Sequence, residues 1–104
     1  MYKLLVKAEA IQDMTEAFDW YENKRTGLGS EFLDEVDEYY DRIAQNPKHY
    51  QSHINQRIAV MHRFPYKIVY EIEQEDTIVV YAVYHDKRSP SSFPSGVSRL
   101  GDSA

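Results

Sequence analysis

Tyr66-Lys67-Ile68-Val69-Tyr70-Glu71-Ile72 and Ile78-Val79-Val80-Tyr81-Ala82-Val83-Tyr84 flank the acidic tetrapeptide Glu73-Gln74-Glu75-Asp76, and this stretch decides the fold. Both runs are built of β-branched and aromatic residues, and the segment between them is polar and short, so they read as two strands joined by a hairpin turn. The second run is apolar at every position, which is expected of a central strand covered on both faces. Just upstream, Ile58-Ala59-Val60-Met61 supplies another strand, and Pro65 marks a bend between the two.

Further upstream the period changes from two to helical. Ile11, Met14, Phe18 and Tyr21 recur at helical spacing from Ala8 onward, with Ala10 and Ala17 beside them and Glu9, Asp13, Glu16, Asp19 and Glu22 mostly outside. Thr26-Gly27-Leu28-Gly29 breaks this helix, and Ser30 is the expected N-cap of a second. There Phe32, Val36, Tyr39 and Ile43 form a stripe widened by Leu33 and Tyr40, and Asn46-Pro47 stops it. Residues 48–56 are polar and read as loop, and Tyr2 to Lys7 reads as a first strand.

The order β-α-α-β-β-β predicts a two-layer α+β domain in which a helical hairpin packs on one face of a mainly antiparallel sheet. The helices expect Ile68, Tyr70, Val80 and Ala82 beneath Phe32, Val36, Tyr39, Ile43, Ile11, Met14 and Phe18. The opposite sheet face is left open as a binding surface. Residues 1–90 form the single domain, and the Ser/Pro/Gly-rich residues 91–104 form a tail.

At 104 residues, 42% hydrophobic and 28% charged, the chain fits one soluble core. It holds no apolar run long enough to span a bilayer, and its first residues do not resemble a signal peptide. The absence of cysteine excludes disulfides and thiolate metal sites and suits a reducing cytoplasm. Net charge is −5, concentrated in the first half: residues 1–56 carry six Lys/Arg against eleven Asp/Glu. That balance argues against a general nucleic-acid binder, and the run Glu31 to Asp41 reads as a solvated helix face.

No phosphate-binding loop, dinucleotide motif or metalloprotease motif occurs. His49 and His53 are four residues apart but fall in the expected loop, so no metal or cofactor is expected. The chemistry-bearing set is Arg57, Lys67, His85 and Arg88, at the starts or ends of the expected strands. Alternation puts Arg57, Ala59 and Met61 on one face, Lys67, Val69 and Glu71 on one face, and Val79, Tyr81, Val83 and His85 on one face. If the three coincide, Arg57, Lys67 and His85 line the open side of the sheet, where cations would clamp a phosphate and His85 would accept a proton. The alternative is structural: Arg57 and Arg88 pair with the acidic helix or with Glu71, and His85 caps a strand.

The segment Arg57 to Ile72, with Arg57, Phe64-Pro65-Tyr66 and Tyr70, and the ending Ile78 to Pro90, with His85-Asp86-Lys87-Arg88-Ser89-Pro90, resemble the RelE/ParE toxin superfamily. The members called plasmid stabilization proteins are most similar. Ala8-Glu9-Ala10-Ile11-Gln12-Asp13, Trp20-Tyr21-Glu22, Gly27-Leu28-Gly29, Glu31-Phe32-Leu33 and Asn46-Pro47 agree with the same pattern. The resemblance implies the toxin of a type II toxin–antitoxin pair, bound and blocked by a cognate antitoxin laid across the open sheet face or the helical hairpin. It implies one of two modes of growth inhibition: metal-independent cleavage of mRNA on the ribosome, or inhibition of DNA gyrase. It leaves open a homodimer, and also an inactive relative that acts only as a protein-binding module. Relative to RNA-cleaving members, Ile58 to Met61 lacks lysine and Phe93 stands where a tyrosine is usual.

Overall fold

In the computed structural model, which describes residues 2–86, a five-stranded sheet carries two helices on one face. Strand β1 (Lys3–Val6) leads into α1 (Ala8–Lys24) and α2 (Leu28–Gln45). A short 3₁₀ turn (Pro47–His49) then precedes β2 (Gln51–His53), β3 (Gln56–Val60), β4 (Tyr66–Ile72) and β5 (Thr77–His85). The spatial order is β1-β5-β4-β3-β2, with β1 parallel to β5 and every other pair antiparallel. The apolar run 78–84 therefore lies inside the sheet, as its composition predicts. The expected tail at 91–104 lies outside the described residues.

Three local expectations are corrected. Ser30 is not the N-cap: α2 begins at Leu28, capped by Gly27, whose φ of +91° is a left-handed conformation that glycine adopts without a Cβ penalty. The carboxylate of Glu22, in the last turn of α1, takes the place of a capping side chain. It accepts the backbone N–H of Gly27 at 2.9 Å and of Gly29 at 3.0 Å, at the positive end of the α2 dipole. Gly29 is needed for a different reason: a Cβ there would stand 2.7 Å from the Phe18 ring and carbonyl.

Residues 48–56 are not all loop. They hold the 3₁₀ turn and β2, which pairs with β3 through a tight turn at Ile54-Asn55. Three polar residues gave no periodicity to read, and pairing alone makes them a strand.

The core is reached differently on the two helices. Phe32, Val36, Tyr39 and Ile43 of α2 are buried as expected. On α1 the buried residues are Ala10 and Ala17, whose small side chains let the helix approach β5 closely. Ile11 is 52% exposed, and Met14 and Phe18 are only half-buried in the seam with α2. Ala82 does not face the helices. It packs with Val69, Tyr84 and Ile58 on the opposite face.

The reason for the last correction is a bulge in β5. Val69 pairs with Ala82 but Tyr70 pairs with Val80, so Tyr81 is an extra residue without an opposite number. One added residue reverses the alternation of everything beyond it. Ile78 and Val80 face the helices before the bulge, and Val83 faces them after it.

Two carboxylates tie the layers together. Glu35 of α2 reaches the β3–β4 loop and accepts three consecutive backbone amides, from His62 (3.2 Å), Arg63 (2.8 Å) and Phe64 (3.2 Å). Asp13 of α1 accepts the amide of Val83 at 3.0 Å. Strand β1 ends at Val6, opposite Val80, so β5 has no neighbouring strand on that side at Val83 and the carboxylate takes its place.

Candidate functional site

Directly opposed residues of antiparallel strands project to the same face. Arg57 is opposed to Tyr70, and Tyr70 belongs to the helix-side core, so Arg57 lies on the helix side. Its guanidinium donates to the carbonyls of Tyr50 (2.9 Å) and Lys48 (3.3 Å) and so braces the segment that follows the 3₁₀ turn. Close by, the buried Tyr70 hydroxyl donates to the Pro47 carbonyl at 2.6 Å. Burial drives that phenol up to about 12, with Arg57 pulling the other way.

Lys67 is opposed to Tyr84, on the open face. Its ammonium forms an ion pair with Asp86 at 2.9 Å, and that hydrogen bond holds the lysine above its ordinary value. His85 is opposed to Tyr66, which is again on the helix side, and the two rings meet edge to face at 5.2 Å. Arg88 lies outside the described residues. The expected coincidence of faces is therefore not met: Arg57 and His85 lie on the helix side at opposite ends of β4, and Lys67 lies on the other face.

The open face itself is mainly apolar. Leu5 on β1, opposed to Val79, and Val60 on β3, opposed to Lys67, are 50% and 56% exposed, and Ile58 with the buried Val69, Ala82 and Tyr84 packs on the same face. Among the described residues no group of histidines and carboxylates is arranged to hold a metal ion.

On the helix side, Tyr21, Phe32, Phe64 and Tyr66 form an aromatic box. Centroid separations within it run from 4.9 Å (Tyr21–Phe64) to 6.1 Å (Tyr21–Tyr66). The Phe-Pro-Tyr sequence contributes both its rings to this box, and the Pro65 carbonyl accepts the amide of Asp86 at 2.6 Å. At the rim, between α1 and the ends of β4 and β5, a cavity of about 300 Å³ is lined by Asp13, Glu16, Ala17, Trp20, Tyr66, Val83 and His85. Sequence reasoning gave Asp13 and Glu16 only to the solvent side of α1. The available signal was the spacing 13, 16, 17, 20, one stripe of a helix, which ends on an indole that a purely solvated stripe does not need.

The model of the ParE toxin family of the type II toxin–antitoxin system parDE matches residues 4–90, and the chain belongs to that family. No curated protein matches it by sequence. Among solved structures, the chromosomal ParDE toxin–antitoxin system from P. aeruginosa superposes with a TM-score of 0.72 at 13% identity, over 82% of this chain and 96% of that one. The isolated E. coli RelE toxin superposes with a TM-score of 0.63 at 16% identity, over 88% of this chain and 90% of that one. At these identities the likeness is one of fold. Family membership makes a cognate antitoxin the expected partner, and among the described residues no helix is long and apolar enough to cross a membrane.

Proposed function

We propose that this chain is a growth-inhibiting toxin that acts in the cytoplasm by binding its target, in the manner of gyrase-directed members, and not by cutting RNA. The observation that carries this reading is the dispersal of the candidate groups. Cleavage through a 2′-hydroxyl needs a base within hydrogen-bonding reach of that hydroxyl and cations around the phosphate that gains charge. Arg57 is committed to the Lys48 and Tyr50 carbonyls, Lys67 is paired with Asp86 on the other face, and His85 lies against Tyr66. A net charge of −5 also works against approach to an RNA surface. A binding inhibitor needs none of these groups to converge.

The test is induced expression of the wild type and of His85→Ala, with growth, protein synthesis and plasmid supercoiling followed together. Growth arrest by both, with translation unaffected at first and supercoiling lost, is the expected result. Loss of arrest in His85→Ala, with cuts in translated messages made by the wild type, would assign His85 to RNA cleavage instead. No arrest by the wild type would leave the chain as a protein-binding module.

A further inference from the structure

The cavity between α1 and the ends of β4 and β5 has a chemistry that points to one kind of guest. We propose that it receives a cationic side chain, an arginine in preference to a lysine, from a basic segment of the antitoxin. The identity of the donor rests on the toxin–antitoxin reading; the cation site stands on the cavity itself.

The cavity holds about 300 Å³, enough for a guanidinium and the end of its stem. Two carboxylates one helical turn apart, Asp13 and Glu16, enter it from α1. Three rings, those of Trp20, Tyr66 and His85, form the walls together with Ala17 and Val83. Asp13 is fixed in place by the Val83 amide, and Glu16 accepts a hydrogen bond from Gln12 at 3.2 Å. Among the described residues no lysine or arginine forms an ion pair with Glu16.

Trp20 is 58% exposed, which is a large apolar surface to leave in water. The indole already carries one cation: the Lys24 ammonium stands 4.3 Å from the ring centroid. A planar guanidinium can lie against such rings and still form paired hydrogen bonds with a carboxylate, which an ammonium cannot. The acidic balance of the whole chain would steer a basic segment toward it.

Trp20 is the only tryptophan of the chain, so its emission reads the cavity directly. The full chain is titrated with acetyl-Gly-Arg-Gly-amide and with the same peptide carrying citrulline, which keeps the shape and loses the charge. A saturable change in Trp20 emission at millimolar arginine peptide is expected. The change should be weaker with a lysine peptide, absent with citrulline, lost in Glu16→Lys, and retained in Glu75→Lys, an equal charge reversal in the β4–β5 turn. The product of the adjacent reading frame is then added to the same three proteins. Glu16→Lys should weaken that complex at least about tenfold, and Glu75→Lys should leave it within about twofold.

No saturable response to the arginine peptide, or an equal response to citrulline, overturns the cation site. A normal peptide response with an antitoxin complex indifferent to Glu16→Lys overturns the antitoxin as its donor. Failure of the wild type to bind the adjacent product at all counts against the toxin–antitoxin reading, while the peptide titration still decides the cavity.

Discussion

His85 is paired across the sheet with Tyr66 and meets its ring edge to face at 5.2 Å, while its nearest basic neighbour on β4, Lys67, projects from the other face beside Tyr84. The two candidate groups occupy adjacent register positions of the hairpin and project from opposite faces of the sheet. What separates them is the extra residue Tyr81. Its hydroxyl is hydrogen-bonded to Glu73, and burial, followed by that carboxylate, raises its pKa above the ordinary phenol range.

The two helices bury different amounts of their apolar stripes, and truncations should report it. Ile43→Ala, at a fully buried site, should cost about 2–5 kcal/mol. Ile11→Ala, at a site 52% exposed, should cost less than about 1 kcal/mol. Urea denaturation of the two variants checks the contrast, and equal costs would mean that α1 packs through Ile11 after all.

Glu35→Ala should leave the amides of His62, Arg63 and Phe64 without their shared acceptor. The expected loss is about 1–3 kcal/mol. Hydrogen exchange at those three amides should accelerate more than exchange in β4. Uniform acceleration across the sheet would show that the carboxylate supports global stability and not the loop.

Two glycines two residues apart should fail for different reasons. Gly27→Ala meets open space but keeps a left-handed backbone, at about 1–2 kcal/mol. Gly29→Ala drives a methyl into the Phe18 ring and carbonyl, and should cost at least about as much, up to roughly 3 kcal/mol. Adding Phe18→Ala should recover part of the ring clash in Gly29→Ala and nothing in Gly27→Ala. A double-mutant cycle measures that coupling.

Ile54 occupies the left-handed region at φ +59° with its side chain 84% exposed, so it combines backbone strain with no packing return. Ile54→Asn should stabilise the protein by about 0.5–1 kcal/mol, because asparagine tolerates that conformation in tight hairpins. A thermal melt showing no gain would mean that Ile54 carries no appreciable backbone strain.

Asp37 is held above the usual carboxylate range by partial desolvation and then by Asp34 and Asp41. The folded protein therefore prefers it neutral, and its ionisation destabilises the fold at pH 7. That cost fades as pH falls through the raised folded value and is gone below the unfolded value near about 3.9. Asp37→Asn should gain a few tenths of a kcal/mol at pH 7, about the size of an exposed like-charge pair. The gain should vanish near pH 3. Stability curves at the two pH values check the sign.

Much of the fold was readable because long periodic runs leave little choice. The α2 stripe, the β4–β5 hairpin and the central place of β5 follow from residues whose burial is required. What escaped reading depended on partners distant in sequence. Glu22 and Glu35 look like surface carboxylates until the amides they accept are brought to them. Gln51 to His53 become a strand only because β3 lies alongside. The site was misread at two places: no local feature marks Tyr81 as a bulge, and counting alternation through it put His85 on the wrong face, while the β3–β4 register, which only the folded pairing sets, put Arg57 on the helix side. Asp13, Glu16 and Trp20 were visible as a helix stripe, but their cavity needs the far end of β5.

Strand β1 has a consequence for the order of assembly. It precedes both helices in the chain, and its pairing partner, β5, follows every other strand among the described residues. Until Thr77 to His85 exist, Leu4 and Val6 have no strand to lie against, and the apolar stripe of α2 has only part of its sheet to cover it. The closing contact joins the two ends of the domain and carries the largest loop-closure cost. A nascent chain would therefore keep its helical hairpin incompletely covered until β5 has emerged, and only then gain its folded surface.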